Sequence, residues 1–310
     1  MTETAKAMSF TLPNYRHSLT HFDTERHTLW YYLNAPRAVF SQTALSEILD
    51  VHERAKLYMS SHTGNEPVIK YLVQTSATPG VFALGGDLEL FADLIRRRDH
   101  DRLLAYGRQC IQCVFNNSTN LGNPQLTTIS LVQGGALGGG FEAALSTNVL
   151  VAERSATLGL PEILFNLFPG MGAYSLLSRR LDMARAERFL SSGRQYSAAE
   201  LYDLGIVDVL VEDGQGVHAV NNYIRKHERS RNGLLAIQRV RQRLAPLDFQ
   251  ELEDVLKIWV DTAMLLTERD VRTMEKLVAA QYRLADRQII GGAASQMEEE
   301  RVAYAGAAYA

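Results

Sequence analysis

The chain has 310 residues, 46% of them apolar and 22% charged, with a formal net charge of −3. That length suits one large core, or a core with a smaller appendage, and the balanced charge excludes a general binder of nucleic acid or membrane surfaces. No apolar run approaches the roughly eighteen residues needed to span a bilayer, and residues 1–8 carry an acid and no secretory apolar stretch, so a cytoplasmic protein is expected.

The first third alternates strand and helix patterns. Thr28–Leu33 is a compact aromatic strand, and Ser41 caps a helix whose apolar positions are Ala44, Leu45, Ile48, Leu49 and Val51. Pro67–Val73 reads as a second strand, closing in the turn-rich Thr75–Gly80. Phe82–Gly86 leads into Asp87, which opens a helix through Leu88, Leu90, Phe91, Leu94 and Ile95. Leu103–Phe115 is an amphipathic helix carrying Cys110 and Cys113. A CxxC suggests redox chemistry or half a zinc site, but no second ligand pair follows. At a spacing of three both cysteines fall on one helix face and read as small apolar core residues, with no metal expected.

The strand Leu126–Val132 runs into Gly134–Glu142, followed by the strands Asn148–Ala152 and Ala156–Leu160. Ser197 and Glu200 form a capping box for a helix to Leu204, and Gly205 stops it. Beyond Glu212–Gly216 the strand signals give out. Leu252, Val255, Trp259, Ala263 and Leu266, then Val271, Met274, Leu277 and Val278, recur at helical steps. The expected organisation is a core of residues 1–216 and a helical region of 217–310, with poor order from Ala303 onward. Repeated strand–turn–helix units argue an α/β protein with ligands at the strand ends.

The glycine motif Gly134–Glu142 is neither GxGxxG, since Ala136 intervenes, nor a P-loop, since no Gly-Lys-Ser/Thr closes it. Tight strand–helix packing alone would explain it, were it not for a second pair, Gly85-Gly86, placed identically between a strand and a helix opened by an acid. Two bare-backbone turns, each giving one amide to the same oxygen, are what an oxyanion hole requires. Glu142 follows in the first helical turn among Phe141, Ala143 and Leu145, and Glu162 follows Pro161 in the apolar stretch Leu158–Phe165. Buried carboxylates without cations have raised pKa values and suit proton transfer.

In these residues the chain resembles the crotonase (enoyl-CoA hydratase/isomerase) superfamily. The matching pieces are Phe82–Asp87, Val132–Glu142, Leu158–Leu164 with Pro169–Gly172, and Tyr196–Glu200 with Leu204–Asp208, in the family's order over roughly residues 25–215. The resemblance implies a crotonase fold of repeated ββα units with a C-terminal helical region. It also implies an oxyanion hole of the Gly86 and Gly139 amides for a thioester carbonyl, with Glu142 and Glu162 handling protons and no cofactor. A narrower resemblance is to the diffusible signal factor (DSF) synthases, bacterial quorum-signal enzymes. It rests on Val81–Phe91, Phe165–Ser175, Ile258–Met264 and Arg272–Leu277. Ordinary hydratases usually carry Gly-Gly-Thr-Gln-Arg after the Pro-Gly turn, where this chain has Ala173–Leu177.

That second resemblance implies dehydration of a 3-hydroxyacyl thioester on acyl carrier protein, then thioester hydrolysis to a cis-2-unsaturated fatty acid. It implies Gly85, Met171, Trp259 and Leu277 at the substrate, simple packing being the competing explanation for the last three. Arg96-Arg97-Arg98 and Arg179-Arg180 are candidate contacts for an acidic carrier protein, though a solvated helix face explains them more simply. Further implied partners are a second copy of the chain, as a trimer or dimer of trimers, and a signal-sensing regulator. Two alternatives stand beside this: an enoyl-CoA hydratase or isomerase of fatty-acid metabolism, and a crotonase-like binding protein without catalysis.

Overall fold

The structure, a computed structural model, describes residues 10–61, 69–280, 282–283 and 286. Ser18–Asp23 (β1) and Thr28–Leu33 (β2) form an antiparallel hairpin. The Ser41 hydroxyl accepts the Ala44 N–H at 3.3 Å to cap Gln42–Ser61 (α1), as its sequence pattern predicts. Tyr71–Ser76 (β3), Gly80–Ala83 (β4), Leu88–Arg96 (α2) and His100–Ser118 (α3) follow. The strand expected at Pro67–Val73 begins later and runs on through Thr75 and Ser76, because those residues pair with Tyr32 and Leu33 of β2. Cross-strand pairing overrides the local turn signal there; Pro67 and Val68 lie outside the described residues.

Thr127–Val132 (β5), Gly134–Leu137 (β6) and Gly139–Leu145 (α4) form the next unit, then Val149–Glu153 (β7), Thr157–Gly159 (β8), Ala173–Arg180 (α5) and Met183–Ser192 (α6). Gln195–Ser197 (β9), Ala198–Asp203 (α7), Val209–Val211 (β10), Gly216–His227 (α8), Arg231–Leu244 (α9) and Phe249–Met264 (α10) complete the order, and residues 268–280 are helical. The predicted capping box is present at α7: Ser197 Oγ accepts the Glu200 N–H while Glu200 Oε2 accepts the Ser197 N–H at 2.8 Å.

The strands form a six-stranded sheet, β1-β2-β3-β5-β7-β10, and a four-stranded sheet, β4-β6-β8-β9. From β2 onward neighbours in the large sheet are parallel, as are β4, β6 and β8 in the small one. Each unit thus gives one strand to the large sheet, the next to the small sheet, and then a helix. This is the ββα repetition of the crotonase fold. Alternation along the strands serves two cores. Leu72, Val132, Leu150 and Ala152 face the main one, while Trp30, Tyr71, Ile129 and Val151 face Val220 and Ile224 of α8. The residues expected at poor order, Ala303 onward, lie outside the described residues. Among the described residues no helix is long and apolar enough to cross a membrane.

Candidate active site

β4 and β6 are parallel neighbours, so the turns that follow them emerge side by side. The first holds Gly85 and Gly86, the second Gly138 and Gly139. Their approach is close: an ideal Cβ on Gly85 would lie 3.0 Å from the Leu137 carbonyl oxygen and 3.2 Å from the Gly139 nitrogen. One on Gly139 would lie 3.5 Å from the Gly86 nitrogen. Gly85 also has φ +93°, a conformation side chains rarely adopt. The first turn is pinned from outside, since Phe40 N–H donates to Gly85 O at 2.9 Å and the Tyr106 hydroxyl accepts the Asp87 N–H at 3.2 Å. Among the described residues neither the Gly86 nor the Gly139 N–H has an acceptor. Gly139 is the first residue of α4, where an unpaired amide is the rule.

Glu142 is 2% exposed. Its Oε1 accepts the N–H groups of Met171 at 2.8 Å and Ala173 at 3.0 Å, at the start of α5. The acid therefore serves the N-terminus of another helix, whose N-cap, Gly172, has φ +113°. Burial pushes its pKa up, and the two amide donors oppose the shift. Glu162 heads a short 3-10 turn, Glu162–Phe165, after Pro161. Its Oε1 rests over Gly138, 2.6 Å from where a Cβ would be, and its Oε2 is buried without a partner. Burial, then the neighbouring Glu142 charge, push its pKa up.

Gly85, Gly86, Gly139, Glu142, Glu162, Met171, Trp259 and Leu277 all line one cavity of about 980 Å³, counting solvent at its mouth. The Trp259 indole packs on Gly170, whose Cβ would fall 2.2 Å from the ring, and this brings α10 onto the turn bearing Met171. Leu277 and Val278 cover the cavity from the helical segment 268–280. Cys110 and Cys113 are both free and also line it. Burial pushes both thiols up, that of Cys113 to about 12. The arginine clusters are engaged elsewhere. Arg96 pairs with Glu268 and Glu275, Arg98 donates to the Met264 carbonyl, and Arg179 pairs with Glu251. Arg180 is largely buried and donates to the carbonyls of Leu145, Thr147 and Ile206.

Sequence reasoning missed the polar lining residues Tyr31, Gln74, Tyr106, Asn117 and Ser146. Tyr31 sits in an aromatic strand, and Gln74, Asn117 and Ser146 stand in or at the start of short polar stretches, so none of these four carries a local signal of its place in the cavity.

The enoyl-CoA hydratase/isomerase family model matches residues 34–245. The chain belongs to this family. Relatives include the mitochondrial methylglutaconyl-CoA hydratase of Rattus norvegicus, 32% identical over 147 residues (47% of this chain and 44% of that protein). A probable enoyl-CoA hydratase of Bacillus subtilis is 30% identical over 132 residues (43% and 48%). The fatty acid oxidation complex subunit alpha of Pseudomonas syringae pv. tomato is 32% identical over 143 residues (46% and 19%). The matched region thus spans less than half the length of each of these curated relatives. Among solved structures, an enoyl-CoA hydratase/isomerase from Xanthobacter autotrophicus Py2 superposes with TM-score 0.68 at 21% identity, covering 89% of this chain and 98% of that one. Pseudomonas aeruginosa DspI superposes with TM-score 0.62 at 22% identity, covering 82% and 98%. At these identities the family shares the crotonase fold with them.

Proposed function

We propose that the protein is a DSF-type synthase, which dehydrates a 3-hydroxyacyl thioester on acyl carrier protein and then hydrolyses the thioester to a cis-2-unsaturated fatty acid. The supporting observation is the pairing, in one largely apolar cavity, of two amides that lack acceptors with two carboxylates of unequal surroundings, Glu142 buried and Glu162 half-buried. The thioester carbonyl oxygen accepts the Gly86 and Gly139 N–H groups, which stabilise the enolate of dehydration and the tetrahedral adduct of hydrolysis alike. Glu142, with two amide donors, is the group that ionises first and takes the α-proton. Glu162, raised further by the Glu142 charge, holds a proton and delivers it to the departing 3-hydroxyl.

Elimination leaves Glu142 protonated and Glu162 ionised. Glu162 then takes a proton from water as its oxygen adds to the carbonyl, and Glu142 returns its proton to the departing thiolate. Both acids end in their starting states, so two reactions complete one proton cycle. Met171, Trp259 and Leu277 supply apolar contact to the acyl chain, and Gly85 lets the two turns meet. The oligomer and the regulatory partner belong to the same proposal.

A second reading, hydration of an enoyl-CoA, is favoured by the curated relatives. Incubation with 3-hydroxyacyl carrier protein, followed by mass spectrometry, is expected to yield free unsaturated acid. Hydration of crotonyl-CoA with no acid released would establish the second reading instead. Activity retained in both Glu142→Ala and Glu162→Ala would overturn either.

A further inference from the structure

Two helices line the cavity from end to end. α3 contributes Tyr106, Cys110, Cys113, Val114 and Asn117, while α4 contributes Gly139, Glu142 and Ala143, with Ser146 at its C-cap. Steps of three and four place each set on one helix face. Tyr106 marks the end nearest the glycine turns, its hydroxyl lying 3.3 Å from where a Gly86 Cβ would be. Asn117 lies about 16 Å further along the helix axis at 1.5 Å per residue. A chain whose carbonyl reaches Gly86 and Gly139 therefore has its path between α3 and α4.

That path ends on a polar cluster drawn from four elements. The Tyr31 hydroxyl of β2 donates to Gln74 Oε1 of β3. Gln74 Nε2 donates to Ser130 Oγ and to the Ala143 carbonyl, both at 2.6 Å. Asn117 Nδ2 donates to Gln74 Oε1 and Ser146 Oγ, both at 3.1 Å, and Ser146 Oγ donates to the Ala143 carbonyl at 2.6 Å. All four side chains are at most 4% exposed. Every donor in the cluster is used, and Asn117 Oδ1 is left buried without a partner.

We propose that Tyr31, Gln74, Asn117 and Ser146 form a polar stop that sets the greatest acyl length the cavity accepts. This rests on the acyl-thioester reading above. A longer chain would have to part buried hydrogen bonds that its terminal methyl group cannot replace. Chains that stop short of the cluster meet the apolar walls of α3 and α4 and leave it intact. The Cys110 and Cys113 pair becomes part of that wall.

The test is calorimetric titration of the whole protein with saturated fatty acids of increasing length, which report tail fit without requiring turnover. Affinity should climb with length and then fall about tenfold on adding two carbons beyond the optimum, tenfold being 1.4 kcal/mol. Asn117→Ala removes the amide and its unpaired oxygen, while Gln74 Oε1 keeps the Tyr31 hydroxyl and Ser146 keeps the Ala143 carbonyl. It should shift the limit to longer acids, with an about tenfold gain for the first acid the wild type rejects. Ala143→Leu narrows the path part-way and should shift the limit to shorter acids. An unchanged limit in Asn117→Ala overturns the stop. Should that variant fail to fold, an unchanged limit in Ala143→Leu does so. Failure of the wild type to bind acids of any length overturns the acyl-thioester reading itself, and the stop with it.

Discussion

Gly138 sits where the backbone, the carboxylate and the α4 N-terminus meet, so Gly138→Ala separates their contributions. Its φ of +53° and ψ of −125° lie in a region that only glycine enters freely. Holding alanine there costs about 1–3 kcal/mol. The new methyl would also fall 2.6 Å from Glu162 Oε1, the mobile end of a side chain, so the carboxylate swings away before the backbone moves. We expect about 2 kcal/mol of lost stability in urea unfolding, and a Tm lower by roughly 4–6 °C. We also expect kcat/KM to fall by about a hundredfold, since a displacement near 1 Å at a reacting group costs that much. A double-mutant cycle with Glu162→Ala isolates the second effect. Once the carboxylate is gone, Gly138→Ala should change kcat/KM by less than about threefold. Equal losses of kcat/KM in both backgrounds, additive within about 0.5 kcal/mol, would refute the coupling between this glycine and the acid.

Both glutamates bind a proton more tightly in the folded chain than in the unfolded one. Their contribution to stability is therefore fully present below the ordinary carboxylate range and is lost as pH rises through the raised values. Glu162→Gln should accordingly gain on the wild type between pH 5 and pH 8 by more than about 1 kcal/mol, each pKa unit being worth 1.4 kcal/mol; a pH-independent difference in urea unfolding counts against it. Arg180→Met leaves the carbonyls of Leu145, Thr147 and Ile206 without their donor and should cost about 3 kcal/mol. A loss under about 1 kcal/mol would mean that water takes its place. Cys113, with its thiol pushed up to about 12, should resist alkylation at pH 7.5 in the native protein and react after urea unfolding. Rapid native labelling, read by mass spectrometry, would contradict its burial.

Local chemistry made much of this molecule legible. β2 runs over the predicted Thr28–Leu33, Asp87 caps α2 through Leu90 N–H, and the capping box opens α7. These elements carry their signals within a few residues. β1, β6, β9 and β10 carry no clear local signal, β9 and β10 because they are only three residues long and β6 because half of it is glycine. What defines them is pairing, with the adjacent β2 for β1 and with strands further away along the chain for the others. The convergence of Gly85-Gly86 with Gly138-Gly139 was foreseeable from the doubled motif. The polar cluster was not. Tyr31, Gln74, Asn117 and Ser146 look unremarkable singly, and only the packing of α3 and α4 against the large sheet joins them. The cysteines were rightly read as apolar packing residues, although the side they pack on is the cavity wall.

The parallel pairing of β4 with β6 has a consequence for how such a site tolerates change. Each of the two amides is carried just beyond the end of its own strand, so their separation is set first by strand alignment. Sliding one strand by a single residue would displace its amide by about 3.3 Å, beyond the reach of a hydrogen bond to a shared oxygen. Substitutions at the rim can therefore retune what enters the cavity while the amides hold their spacing, whereas one residue inserted into β4 or β6 would silence the pair with every side chain still present.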